Sequence, residues 1–288
     1  LGELPRNRFA KKFQRARIRA EKIAHWRARH KGYEHAPIQS IYQNLRWLMR
    51  LDLPDAELIQ AELALEEESL YPVEETMRQL HALRAAGHRI LFISDMYIPA
   101  PMLRPMLERM GVMEAGDRLY VSCDVGVSKH SGKLFQHVLQ AEGLRGDQLQ
   151  HTGDNAHADM RMAEKWGIRV QHFTKAHLTR NEMQIAGSRI PRHPGASWQA
   201  AFSRRCRLSM YSTPNHAPHA LVDGVIFSTI VPFLLAYVLW ILDDARKRGI
   251  KRLYFVARDG EVLFKIAHAL QPEGLELRYL YGSRRAWL

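Results

Sequence analysis

Cysteine is scarce in this chain of 288 residues: only Cys123 and Cys206 are present, far apart, with no Cys or His at metal-ligand spacing around them. That excludes a disulfide framework and a zinc site, and it fits a reducing, cytoplasmic setting. The opening residues, LGELPRNRFAKK, hold no apolar core of the kind a secretory leader needs. They also lack an initial methionine, so the expectation is a chain that does not start where its gene starts. No repeat of fixed period and no low-complexity tract is visible. The fifteen histidines are scattered, and none pairs with a Ser or Cys in the manner of a catalytic triad. Negative charge is nearly missing from residues 6–31, where eleven Lys or Arg face the single Glu21; the remainder is close to balanced within a net charge of +12.

What is there is ordinary globular composition, 46% apolar and 25% charged, enough for one large or two medium domains. In RFAKKFQRARIRAEKIAHWRARH, residues 8–30, Phe9, Phe13, Ala16, Ala20, Ile23 and Trp26 recur at three- and four-residue steps. This describes one apolar stripe on a very basic helix, which needs something to lie against. Eleven positive charges would give salt-dependent affinity for nucleic acid, and the stripe would suit an anionic membrane surface. No interleaved aromatic pattern or known nucleic-acid module supports nucleic acid as a partner. Further helices are expected at 38–51, at 55–69 after LPDAE, and at 72–86, where Pro72 opens and Gly87 closes.

From residue 88 short apolar runs alternate with helices: strands at 89–94, 118–122, 149–152 and 168–173, helices at 100–110, 132–142 and 156–166. This is the rhythm of a parallel sheet with crossover helices. Ligands bind such sheets at the carboxyl ends of the strands, which directs attention to Ser94–Asp95, to Ser122–Lys129 and to Gly153–Asp159. Residues 176–196 read as a linker around GSRIPRHPGASW. A second α/β unit follows at 197–288, with a helix at 197–209, the strand-to-helix step RLYFVARDGEVLF and a last strand in LRYLYGSRRAWL. It breaks off as if truncated. The run VIFSTIVPFLLAYVLWIL, residues 225–242, reaches the lower limit for a membrane span. With Pro232 inside it and Asp243 and Asp244 directly after it, the reading is a buried core helix, a membrane span being the alternative.

Three signals share one order: ISD ending at Asp95, SKHSGKLF at 128–135 and GDNAHAD at 153–159. Singly, each reads equally well as a helix cap or an Asx turn. Together they resemble the haloacid dehalogenase (HAD) superfamily of phosphohydrolases, and a bacterial subgroup associated with surface-polysaccharide and glycosyltransferase genes. The resemblance covers about residues 9–175. It implies a HAD-like Rossmannoid parallel sheet (88–175) carrying an all-helical cap (8–87). It also implies a Mg²⁺-dependent phosphatase acting on a phosphorylated small molecule such as a sugar phosphate, with a glycosyltransferase as an expected partner of the non-catalytic alternative. Carried over, Ser94 is the second motif: its hydroxyl and the Asp95 backbone N–H would hold phosphoryl oxygens. Lys129, preferred to Lys133, would offset charge. Asp154 would be the metal ligand, with Asn155 and Asp159 completing that group.

The family's first motif is Asp-x-Asp on a central strand between those ending at Ser94 and Thr152. No such pair follows a strand upstream of Ser94. The chain is therefore expected to be a fragment without its nucleophile, or else a non-catalytic scaffold. The late step YFVARDGEV is a poor substitute, because Ala257 stands where the nucleophile would be and Asp259 more simply ends a strand.

Overall fold

The computed structural model describes residues 8–187, 194–210, 222, 225–270 and 272–282. They fall into two compact units that divide between His177 and Leu178.

The first unit opens with four helices, α1 (Arg8–His30), α2 (Ile38–Met49), α3 (Asp55–Ser69) and α4 (Glu74–Ala85). The apolar stripe of α1 is spent inside this unit. Ala20 and Ala24 are fully buried against Ile38, Ile41 and Leu45 of α2, with Phe13 and Ala16 alongside. Alanines at these positions let the two helix backbones approach closely, and the middle of the apolar face therefore lies in the core, while Phe9 at its start is 52% exposed. Trp26 also departs from the expected stripe: it is 60% exposed, its ring tilted against that of His30 with centroids 4.1 Å apart.

The α/β part follows as β1 (Leu91–Ser94), α5 (Ala100–Arg109), β2 (Arg118–Val121), α6 (Ser122–Val125), α7 (Lys133–Glu142), β3 (Gln150–Gly153), α8 (Ala156–Glu164) and β4 (Arg169–His172). The first six residues of α8, Ala156–Arg161, form a π turn. The one-turn helix α6, absent from the sequence reading, ends at Gly126, whose φ of 85° places it in the left-handed region that glycine tolerates.

The strands form two parallel pairs, β1–β2 and β3–β4, in separate sheets; no β1–β3 ladder joins them among the described residues. Both pairs nevertheless share packing. Ile93 of β1 lies against the cluster of Phe135, Leu139, Met162, Ala163 and Ile168 that also covers Val170 of β4. Each of the four strands thus has a single neighbour among the described residues. This is an α/β fold with a helical region, the class that the alternating pattern predicts.

In the second unit, part of the expected linker is ordered. Residues Arg180–Ala186 form helix α9, opened by a capping box in which Thr179 accepts from the Glu182 N–H and Glu182 accepts from the Thr179 N–H at 2.8 Å. The fully buried Glu182 also receives Arg207 of α10 (Pro194–Met210) at 2.9 Å. The Gly, Pro and Ser content that suggested a linker belongs to 187–197, of which 188–193 lie outside the described residues. Thr179→Ala is expected to lower stability by about 1 kcal/mol, read by denaturant unfolding, because the Glu182 N–H loses its acceptor.

The long apolar run becomes a π turn, Ile226–Ile230, leading into α11 (Val231–Lys247), with Pro232 harmlessly placed in the first helical turn. The expectation of a buried core helix holds for one side only. Val238 is fully buried against Phe255 and Ala267, while Phe233 is 70% and Trp240 63% exposed. Among the described residues, α10, β5 (Arg252–Val256), α12 (Gly260–Ala269) and β6 (Glu276–Leu280) pack on it, and a helix buries the face that meets its neighbours. Among the described residues no helix is long and apolar enough to cross a membrane.

Candidate active site

The carboxyl ends of β1, β2 and β3 meet at the loop that carries Lys129. Asp95, the first residue past β1, binds this loop through its side chain. Its Oδ1 accepts from the Lys129 N–H at 2.7 Å and its Oδ2 from the His130 N–H at 3.2 Å. A carboxylate spanning two successive N–H groups pins the turn that holds them. Ser94, directly before it, ends β1 half-buried, and its hydroxyl has no hydrogen-bond partner among the described residues.

Lys129 points away from solvent, its side chain 14% exposed, and its Nζ lies 2.6 Å from Asp159 Oδ1. Lys133, the competitor from sequence, is 63% exposed and reaches only Glu34 Oε1, at 3.5 Å. Asp159 is the hub. Its Oδ1 also meets His151 Nε2 at 2.8 Å, and its Oδ2 accepts from the Asn155 N–H at 3.0 Å. Burial alone would raise the Asp159 carboxyl; the His151 and Lys129 hydrogen bonds and the Lys129 charge outweigh it and hold the group well below the ordinary carboxylate range.

The GDN segment explains itself locally. A Cβ on Gly153 would sit 2.3 Å from Asp159 Cγ, so only glycine lets the strand end pass this buried carboxylate. Asn155 is the cap of α8, its Oδ1 accepting from the His157 and Ala158 N–H groups, both at 2.9 Å. Asp154 stands apart from the hub. It is 59% exposed, with Oδ2 3.1 Å from His177 Nε2 and its carbonyl accepting from His172 at 2.9 Å.

The six residues singled out from sequence therefore divide. Asp95, Lys129, Asn155 and Asp159 form one bonded chain; Ser94 adjoins it through Asp95; Asp154 bonds none of the others through its side chain. Among the described residues no cluster of three His, Cys, Asp or Glu side chains is arranged to hold a metal. The oxygens of Asp159 are taken by Lys129, His151 and Asn155, and that of Asn155 by its cap. Of the residues singled out as metal ligands, Asp154 alone keeps a solvent-exposed carboxylate that could serve a hard cation such as magnesium, and it faces His177.

His151 escaped sequence reasoning. It sits inside β3 rather than past its end, buried edge-on against Phe135 with ring centroids 4.9 Å apart, and a strand histidine carries no motif. A family model for haloacid dehalogenase-like hydrolases matches residues 4–167, more than half of the chain. The chain belongs to that family. For this HAD-like hydrolase, the match covers the Asp95, Lys129 and Asp159 cluster and the helical region before it. It leaves the second unit, from Leu178 onward, outside.

Proposed function

We propose that this HAD-like hydrolase binds the phosphoryl group of a small molecule, such as a sugar phosphate, at the ends of β1, β2 and β3. The observation that carries the reading is the Lys129–Asp159 pair. An ammonium with three donors, held nearly out of water and using one of them on Asp159, retains donors for an anion arriving over the strand ends. The free Ser94 hydroxyl is the neutral partner for a second phosphoryl oxygen. Magnesium bound through Asp154 would neutralise phosphate charge, with Asp159 and Asn155 shaping its loop rather than ligating it.

The nucleophile is the remaining part of the proposal. In the complete family, phosphoryl transfer passes through an aspartyl-phosphate on the Asp-x-Asp strand. A sheet whose central strand comes from outside the described residues is supported by the split between β1–β2 and β3–β4: all four strands keep an unpaired edge, and the two pairs share one apolar cluster through Ile93 and Val170. The chain by itself then binds phosphate without turning over a phosphomonoester.

Isothermal titration with orthophosphate and magnesium tests the binding step. Lys129→Ala is expected to weaken affinity by about tenfold or more, the worth of a hydrogen bond to a charged group. Equal affinity in wild type and variant would refute the role of Lys129. A chain extended upstream by a strand ending in Asp-x-Asp should hydrolyse a generic phosphomonoester with magnesium; a folded but inert extended chain would favour the scaffold reading.

A further inference from the structure

The loop bearing Lys129 is held from a second side, by a residue outside every motif. The connector between α1 and α2 runs across residues 122–133, and three successive residues anchor it there. The Tyr33 ring covers Gly126, where a Cβ would stand 2.6 Å from Tyr33 Cδ1. Glu34 donates its N–H to the Gly126 carbonyl at 2.8 Å. His35 Nδ1 lies 2.5 Å from Ser122 Oγ, which in turn accepts from the Met96 N–H at 3.0 Å just past β1.

The Glu34 side chain does the closest work. Its Oε2 accepts from both the N–H of Ser128, at 2.8 Å, and the Ser128 hydroxyl, at 2.5 Å. Ser128 is 3% exposed, and its hydroxyl also receives the Ser131 N–H at 3.2 Å. The Lys129 turn is thus gripped at one end by Glu34 on Ser128 and at the next two residues by Asp95 on Lys129 and His130. One carboxylate comes from the helical region and the other from the strand end.

We propose that Glu34 is a positioning residue: by fixing Ser128 from the helical region, it sets the direction in which Lys129 leaves the backbone, and so delivers its ammonium to Asp159 and to a bound phosphoryl group. The inference rests on the phosphate-binding reading above for its last clause only. Two carboxylates are needed because a four-residue turn pinned at one end still swings. Asp95 fixes where residue 129 begins, and Glu34 fixes the approach to it. The exposed Lys133 contact contributes little beside the two Ser128 bonds.

The test uses the full chain and three readouts. Backbone amide exchange over residues 127–132 should speed up about tenfold in Glu34→Ala, with exchange in α2 unchanged, since a buried donor pair loses its acceptor. The ¹H–¹⁵N signal of the Lys129 ammonium, slow to exchange in the wild type, should vanish in Glu34→Ala. Glu34→Gln, which keeps an acceptor for Ser128 without the charge, should restore both. Unchanged loop exchange and an intact ammonium signal in Glu34→Ala would overturn the proposal, as would failure of the glutamine variant to rescue. Should Glu34→Ala not fold, Ser128→Ala removes the same hydroxyl bond and is expected to move both readouts in the same direction; no movement would count against Glu34. Orthophosphate affinity with magnesium should fall in Glu34→Ala and return in Glu34→Gln. If Lys129→Ala leaves that affinity untouched, the phosphate reading fails, while the exchange and ammonium data still judge Glu34.

Discussion

Asp159→Ala is expected to lower the unfolding free energy by about 3–5 kcal/mol, the range for removing one partner of a buried ion pair. Three donors lose their acceptor at once: the Lys129 ammonium, the His151 ring and the Asn155 N–H. Lys129 cannot swing out to water cheaply, because Asp95 holds its backbone N–H and Glu34 that of Ser128 before it. Asp159→Asn, similar in shape, should cost less. The pH dependence supplies an independent check. The folded-state carboxyl is held below its ordinary value of 3.8, so its contribution is complete above that value and is lost as pH falls toward the folded one. Wild type and Asp159→Ala should therefore converge in stability as pH drops below about 4. A gap between them that stayed constant into strong acid would contradict this account.

Glu62→Ala should have an effect of the same size, about 3–5 kcal/mol, in the helical region. Arg17 of α1 turns inward, 14% exposed, and its guanidinium meets Glu62 twice, Nε at 2.9 Å and Nη2 at 2.7 Å. It also lies over the Tyr42 and Tyr97 rings, at 5.5 and 5.2 Å from their centroids. The Tyr42 hydroxyl donates to the same Glu62 carboxylate. Burial would raise the Glu62 carboxyl, but the bonds from Arg17 and Tyr42 overcome it and lower the group, while Arg17 is held even more firmly charged than usual. Taking away Glu62 leaves a desolvated guanidinium with only Glu21, which is more exposed, to pair with. Thermal unfolding would measure the loss. Arg17→Met combined with Glu62→Leu should recover much of it, because apolar groups of similar volume need no partner; no recovery would show that the cost lies in packing rather than in unpaired charge.

Much of the fold was legible because periodicity reports which face of an element is buried. The spacing over residues 8–30 placed α1 within its observed bounds, and LPDAE placed α3 from Asp55 to Ser69. The strand end at Ser94 emerged from an apolar run that stops at a polar residue, and the strand expected at 149–152 lies one residue from the observed Gln150–Gly153. The linker assignment failed at Thr179 because a seven-residue helix is too short to show a period. Its capping box was the only local signal, and Glu182 is buried by Arg207, 25 residues away. Trp26 was misplaced because a helical wheel treats every large apolar residue as inward-facing; here α2 meets α1 through alanines, and the indole stays outside.

The sequence alone determined the order of the longer elements, though not the short helices α6 and α9, and the motif residues Asp95, Lys129 and Asp159 as neighbours of strand ends, since chain direction in a parallel sheet brings all its carboxyl ends to one side. Tertiary structure alone decided that Asp159 answers Lys129, that His151 joins them and that Glu34 reaches Ser128 across 94 residues. The reason is physical. Which donor an oxygen satisfies depends on the few ångströms around it and on the exclusion of water, and neither is written in the spacing of residues along a chain.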